Sequence, residues 1–203
     1  MGGMNGWKRI AEGNTSEIFD IGPDRILKLF KDGIPFTACA REFENTSAAR
    51  ELLQNVPEPL KLTEVETRCG IVYEKIAGTN MLEEMLSHIR TIRKQSRRLA
   101  QYHADIQKSV TGKLETVKEK LQRDILAADL LDTEEKNKVL AYMGTLPDDI
   151  ILCHFDFHPG NILIRGDEPV VIDWMTACMG DKGADAARTG IMLKYGEVPR
   201  SSR

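Results

Sequence analysis

The sequence predicts an α+β protein, with a small antiparallel sheet in its N-terminal part and a mainly helical remainder. Three observations predict it. Between residues 7 and 30, short runs of alternating apolar and polar residues are separated by tight turns, which is strand and hairpin patterning. Between residues 82 and 144, apolar residues recur at three- and four-residue steps, which is helical patterning. Between Ile151 and Trp174, two apolar runs flank a polar loop and the turn Arg165-Gly166-Asp167-Glu168-Pro169, which reads as a loop followed by a hairpin. The 203 residues suffice for one two-lobed domain, or two small ones, with a buried core.

Taken in order, residues 7–11, 17–21 and 26–30 read as three strands, joined by Glu12-Gly13-Asn14-Thr15-Ser16 and by Gly22-Pro23-Asp24-Arg25. Lys28 stands in the middle of the third, apolar strand; on its own it reads as an outward-facing lysine. Residues 36–54 read as a helix whose apolar face is approximated by Phe36, Ala40, Phe43, Ser47 and Leu52. Pro57 and Pro59 end it. Residues 60–66 and 70–76 read as two strands around Thr67-Arg68-Cys69, running into Ala77-Gly78-Thr79. Residues 82–107 form the strongest helical pattern, with Leu82, Met85, Leu86, Ile89, Ile92, Leu99, Tyr102, His103 and Ile106 on one face. Arg90, Arg93, Lys94, Arg97 and Arg98 lie opposite, as a solvated face. His103 reads as a satisfied core histidine. Residues 113–128 and 133–144 give two more helices, the second capped by Asp132 or Thr133, and a short helix is expected over 185–194.

Composition narrows the function. Hydrophobic residues at 41% and charged residues at 29% are those of a soluble globular protein. A net charge of −3 gives no electrostatic case for a nucleic-acid partner. No apolar run reaches the ~20 residues that cross a bilayer, so no membrane span is expected. Residues 1–6 contain no apolar stretch of a signal peptide, and Cys39, Cys69, Cys153 and Cys178 are scattered. Free thiols and a cytoplasmic location are expected.

The chemistry concentrates in His154-Phe155-Asp156-Phe157-His158-Pro159-Gly160-Asn161 and in Val170-Val171-Ile172-Asp173-Trp174. A loop followed by a hairpin would gather Asp156, Asn161 and Asp173 at one edge. Hard oxygen donors of this kind suit Mg²⁺, which takes a few carboxylates together with substrate phosphates. A rival reading uses His154, Asp156 and His158. On an extended strand these would face one side, as a Zn²⁺ site for hydrolysis.

The spacing His-x-Asp-x-x-x-x-Asn followed by apolar-apolar-Asp resembles the phosphotransferase core of aminoglycoside phosphotransferases and choline kinases, and more remotely of protein kinases. The resemblance implies a two-lobed protein-kinase-like fold, with residues 1–78 as a nucleotide-binding lobe ending in a hinge and 79–203 as a helical lobe with the catalytic loop and metal site. It implies transfer of the γ-phosphoryl group of ATP or GTP to a hydroxyl of a small molecule. Asp156 then corresponds to the catalytic base, and Asn161 and Asp173 to Mg²⁺ ligands. Lys28 corresponds to the strand lysine that contacts the α- and β-phosphates. Glu42, in the step Arg41-Glu42-Phe43, corresponds to its ion-pair partner, ahead of Glu44. The turn at 12–16 holds one glycine rather than three, yet its backbone and Ser16 stand where the family folds over phosphates. The backbone at Glu74 and Ile76 stands where the adenine edge is met. Asp185 corresponds to a structural aspartate that braces the catalytic loop. Many members have glycine at the position of Phe155. Further helices usually follow in the family, so a nucleotide-binding module without turnover is the alternative reading. Pro159-Gly160, Asn161 and Asp173 fit phosphoryl transfer better than zinc hydrolysis. The acceptor stays open among aminoglycosides, amino alcohols, sugars and amino-acid alcohols, and the oligomeric state is not indicated.

Overall fold

A computed structural model of the chain describes residues 6–196. In chain order the strands are β1 (Lys8–Glu12), β2 (Ser16–Gly22), β3 (Arg25–Phe30), β4 (Pro59–Val65), β5 (Arg68–Glu74), β6 (Thr79–Asn80), β7 (Ile151–Cys153), β8 (Ile162–Arg165), β9 (Glu168–Val171) and β10 (Cys178–Gly180). The α-helices are α1 (Phe36–Leu52), α2 (Met81–Ser87), α3 (Ile92–Ile106), α4 (Val117–Ala127), α5 (Thr133–Thr145) and α6 (Lys182–Tyr195), with 3₁₀ turns at Ile89–Thr91 and Pro159–Asn161. The chain forms two compact units, Met1–Arg98 with Pro159–Thr176, and Leu99–His158 with Ala177–Arg203. Each unit draws on two stretches of chain, so this division follows a different line from a cut at residue 78.

The first unit is built on an antiparallel sheet of order β1-β2-β3-β5-β4. In β3, Leu27 and Leu29 pack with Phe19 and Val65 on one face. Phe30 lies on the other face with Ile71, Tyr73 and Cys39 of α1. Alternation along the strand therefore puts Lys28 on the face that carries α1, and Lys28 is buried there rather than outward-facing. The β4–β5 turn lies at Glu66 and Thr67, with Glu66 at φ 57°. Arg68 and Cys69 belong to β5 instead of the turn.

The expected apolar face of α1 is corrected. Phe36 and Leu52 are exposed, and the buried residues are Cys39, Glu42, Asn45, Thr46, Ala48 and Ala49. The buried stripe is rotated by one residue, about 100°, because polar side chains that find partners take its centre.

The single long helix expected over 82–107 is also corrected. It is broken at His88 (φ −130°, ψ 67°) into α2, a 3₁₀ turn and α3. The Ser87 hydroxyl donates to the Glu83 carbonyl (2.8 Å) and the Thr91 hydroxyl to the His88 carbonyl (2.7 Å). The His88 N–H still closes α2 on the Glu84 carbonyl at 3.1 Å, but the ψ of 67° at His88 turns the chain out of the helix. Leu86, Ile89 and Ile92, expected on an apolar face, are exposed.

A second sheet of this unit has the order β6-β8-β9. The β8–β9 hairpin closes on Gly166 at φ 65°, with Arg165 opposite Glu168. Gly78 lets β6 approach β8, since a Cβ there would lie 2.8 Å from the Ile164 carbonyl oxygen.

In the second unit, β7 pairs antiparallel with β10, Cys153 opposite Cys178. The helix expected over 113–128 starts at Val117, because Thr116 and Glu119 form a capping box. Asp132 and Glu135 form another at α5. The Val139, Leu140 and Met143 stripe of α5 is not buried. Among the described residues no helix is long and apolar enough to cross a membrane.

Candidate active site

Within the first unit, three of the predicted residues come together around one ammonium group. Lys28 Nζ donates to Glu42 Oε1 at 2.7 Å and Oε2 at 2.9 Å, and to Asp173 Oδ1 at 3.1 Å. The Tyr73 hydroxyl donates to Glu42 Oε1 at 3.0 Å. Burial alone would pull Lys28 down, but the carboxylates of Glu42 and Asp173 raise it above its ordinary value, so it stays charged. Burial pushes Glu42 up and the Lys28 charge opposes this. With both of its oxygens taking hydrogens from the ammonium, we assign Glu42 as the carboxylate of an ion pair. Removing either partner would strand a buried charge, at about 3–5 kcal/mol. Side-chain exposure is 8% for Lys28, 1% for Glu42 and 39% for Asp173. Asp173 is therefore the solvent-facing end of the cluster.

Asp173 adopts a left-handed backbone, φ 64°, a region that aspartate tolerates better than most residues. The turn after it is tied down. Trp174 Nε1 donates to the Val171 carbonyl at 2.9 Å, and Asn45 Nδ2 to the carbonyls of Trp174 and Met175, each at 3.2 Å. Glu42 and Asn45 are three residues apart on one helix face. Helix α1 thus holds the 173–175 segment twice, once through Lys28 and once directly.

Asn161 ends the 3₁₀ turn before β8 and is buried. The Ile172 N–H donates to the Asn161 carbonyl at 2.9 Å, and Ile162 stands opposite Val171. Asn161 and Asp173 therefore flank the same end of one hairpin. Asn80 Nδ2 fixes the turn by donating to the Gly160 carbonyl at 2.8 Å. An amide oxygen and a carboxylate at one hairpin end are hard donors of the type Mg²⁺ takes beside phosphate oxygens, so this pair fits the metal.

Asp156 belongs to the second unit, on the loop after β7. Its N–H donates to His154 Nδ1 at 3.2 Å, and His158 Nε2 lies 3.8 Å from its Oδ2. The loop is braced by Asp185 of α6. Asp185 Oδ1 accepts from the Phe155 N–H (2.9 Å), and Oδ2 from the His154 N–H (3.3 Å) and from His103 Nε2 (2.7 Å). His103 is thus the satisfied core histidine expected, and its ring stacks on Phe157 at 4.4 Å. Burial works against the Asp185 carboxylate, yet the hydrogen bond and charge of His103 and the Phe155 N–H hold it below the usual range.

The remaining predicted positions are more dispersed in the first unit. Ser16 is the buried first residue of β2, and the Gly13 N–H donates to its carbonyl at 2.8 Å, closing the β1–β2 turn. Glu74 ends β5, and its N–H donates to the Glu58 carbonyl at 3.0 Å. Ile76 lies in the irregular segment between β5 and β6. The zinc reading fails on geometry. Strand β7 stops at Cys153, Phe155 is left-handed, and His154, Asp156 and His158 do not lie on an extended strand. Among the described residues no group of three His, Cys, Asp or Glu side chains is placed to hold a metal. Tyr73, Asn45 and Arg188 are site-supporting residues that the sequence did not single out. Asn45 stands between Glu44 and Thr46, and Tyr73 between Val72 and Glu74, so no local pattern marked either one.

A profile described as the phosphotransferase enzyme family, APH, matches residues 6–200. No curated protein sequence matches the chain. Among solved structures, aminoglycoside phosphotransferase APH(3'')-Id from Streptomyces rimosus ATCC10970 in complex with ADP and streptomycin is similar at a TM-score of 0.59 and 18% identity, over 99% of this chain and 82% of that one. The GDP and kanamycin complex of APH(2")-IIia is similar at 0.58 and 15% identity, over 95% and 74%. The streptomycin-ATP-APH(2")-IIa ternary complex is similar at 0.55 and 19% identity, over 89% and 69%. At such identities the likeness is one of fold. The chain belongs to the phosphotransferase enzyme family and has its protein-kinase-like α+β fold.

Proposed function

We propose that the chain transfers the γ-phosphoryl group of ATP or GTP to a hydroxyl of a small molecule, in an Mg²⁺-dependent reaction. The observation that carries this reading is the buried Lys28–Glu42 ion pair extended to a solvent-facing Asp173. In this reading residues 1–78 supply the nucleotide contacts and residues 79–203 the catalytic loop and metal ligands. Lys28, unable to swing because both Glu42 oxygens hold it, orients the α- and β-phosphates. The backbone of Glu74 and Ile76 meets the base, and the β1–β2 turn with Ser16 covers the phosphates. Asn161 and Asp173 are the residues that would hold Mg²⁺, which supplies positive charge against the charge that builds on the phosphates. Asp156 accepts the proton of the acceptor hydroxyl as its oxygen bonds to the γ-phosphorus and the bond to the nucleoside diphosphate breaks. The nucleotides and aminoglycosides bound in the similar structures support a nucleoside triphosphate donor and a small hydroxyl-bearing acceptor. Four buried cysteines outside any disulfide fit a cytoplasmic setting.

The test is a screen for nucleoside diphosphate release with ATP and GTP over aminoglycosides, amino alcohols, sugars and amino-acid alcohols. The expected result is a phosphorylated product from one acceptor class, abolished by EDTA and restored by Mg²⁺. Nucleotide binding with no product from any class would contradict the proposal.

A further inference from the structure

The residue before Asp156 has an unusual backbone. Phe155 has φ 62°, in the left-handed region that residues with a Cβ adopt at a penalty. Its ring is buried with Val117, Cys153 and Cys178. Its backbone is gripped by α6 from both sides. The Phe155 N–H goes to Asp185 Oδ1 (2.9 Å). The Phe155 carbonyl accepts from Arg188 Nε, and the Arg188 guanidinium also lies 5.1 Å from the centre of the Phe155 ring. Asp185 and Arg188 are three residues apart on one face of the helix.

The carbonyl matters most, because it shares a rigid plane with the N–H of Asp156. That N–H is held by His154 Nδ1 (3.2 Å). The peptide joining Phe155 to Asp156 is thus pinned at its oxygen by Arg188 and at its hydrogen by His154. We propose that Arg188 is a positioning residue that sets the orientation of Asp156 by fixing this peptide plane. The inference rests on the reading of Asp156 as the base.

Arg188 is exposed, so its truncation leaves the core intact. The test uses the full chain with Arg188→Met and Arg188→Lys, and reads turnover, nucleotide KM, and amide exchange over residues 153–157. Arg188→Met lowers kcat at least about tenfold while nucleotide KM stays within about twofold. It also speeds exchange at the Phe155 and Asp156 amides at least about tenfold. Arg188→Lys keeps a charge over the ring without the Nε–H and restores part of kcat. Unchanged kcat overturns the positioning role, whether or not exchange changes. Loosening throughout β7 and α6, with kcat and KM changing together, overturns it as well. If Asp156→Asn proved fully active, the base assignment would fail, while the exchange result would still report whether Arg188 holds the loop.

Discussion

Glu66, Phe155 and Asp173 are the non-glycine residues with positive φ among those described, at 57°, 62° and 64°. Glu66 makes a hairpin turn, where such a backbone is common. The other two stand beside and at the positions proposed for catalysis and metal binding, where backbone strain tends to be kept when the surroundings enforce it. For Phe155 the magnitudes favour the side chain. The left-handed backbone costs about 1–2 kcal/mol, and burying a phenyl ring returns about 1.5–3 kcal/mol, before the Arg188 contacts are counted. Phenylalanine can thus stand at this left-handed position. Asp185 adds a pH-dependent element. Its folded pKa lies below its ordinary value, so its contribution is present above the unfolded pKa of about 3.9 and is lost as pH falls through the folded value. Denaturant unfolding between pH 6 and pH 3 should show the parent chain losing stability faster than Asp185→Asn. At neutral pH the variant should be less stable by about 2 kcal/mol, since charged hydrogen bonds are lost. Parallel pH profiles would contradict this account of Asp185.

At the level of elements, the strands were more legible than the helices. Alternation located β2 and β3, and it also put Lys28 on a definite face, although periodicity alone could not say that the face was buried. The α1 pattern misled because Glu42, Asn45 and Thr46 are polar yet buried, and their partners come from distant stretches of chain. The break at His88 was hidden because the apolar spacing runs through it, and no proline or glycine marks it in the sequence. Gly78 was read as a boundary, and its packing role emerged only with β8 in place. A Cβ at Gly78 would meet the Ile164 carbonyl, a backbone atom that cannot rotate away. Gly78→Ala is therefore expected to destabilise by about 1–3 kcal/mol, the usual range for overpacking, measured by chemical denaturation. A change below about 0.5 kcal/mol would show that β6 can move aside.

For the whole molecule, membership of the phosphotransferase enzyme family and a protein-kinase-like fold agree with what the motif between residues 154 and 173 implied. The spacing of that motif was legible because each of its residues has a distinct chemical type. The supports of the site were not, because Tyr73, Asn45 and Arg188 act on residues far away in sequence and follow no local pattern. The acceptor is illegible for a related reason: shape and hydrogen bonding in a pocket select it, and no short motif encodes them.

The most direct test of the central claim is the turnover of Asp156→Asn beside its affinity for the Mg²⁺-nucleotide, measured on the acceptor found in the screen. The account predicts a fall in kcat of about 10²–10⁴-fold, the range for losing a general base, with nucleotide affinity within about twofold, since Lys28, Asn161 and Asp173 are untouched. Turnover equal to that of the parent chain would contradict it.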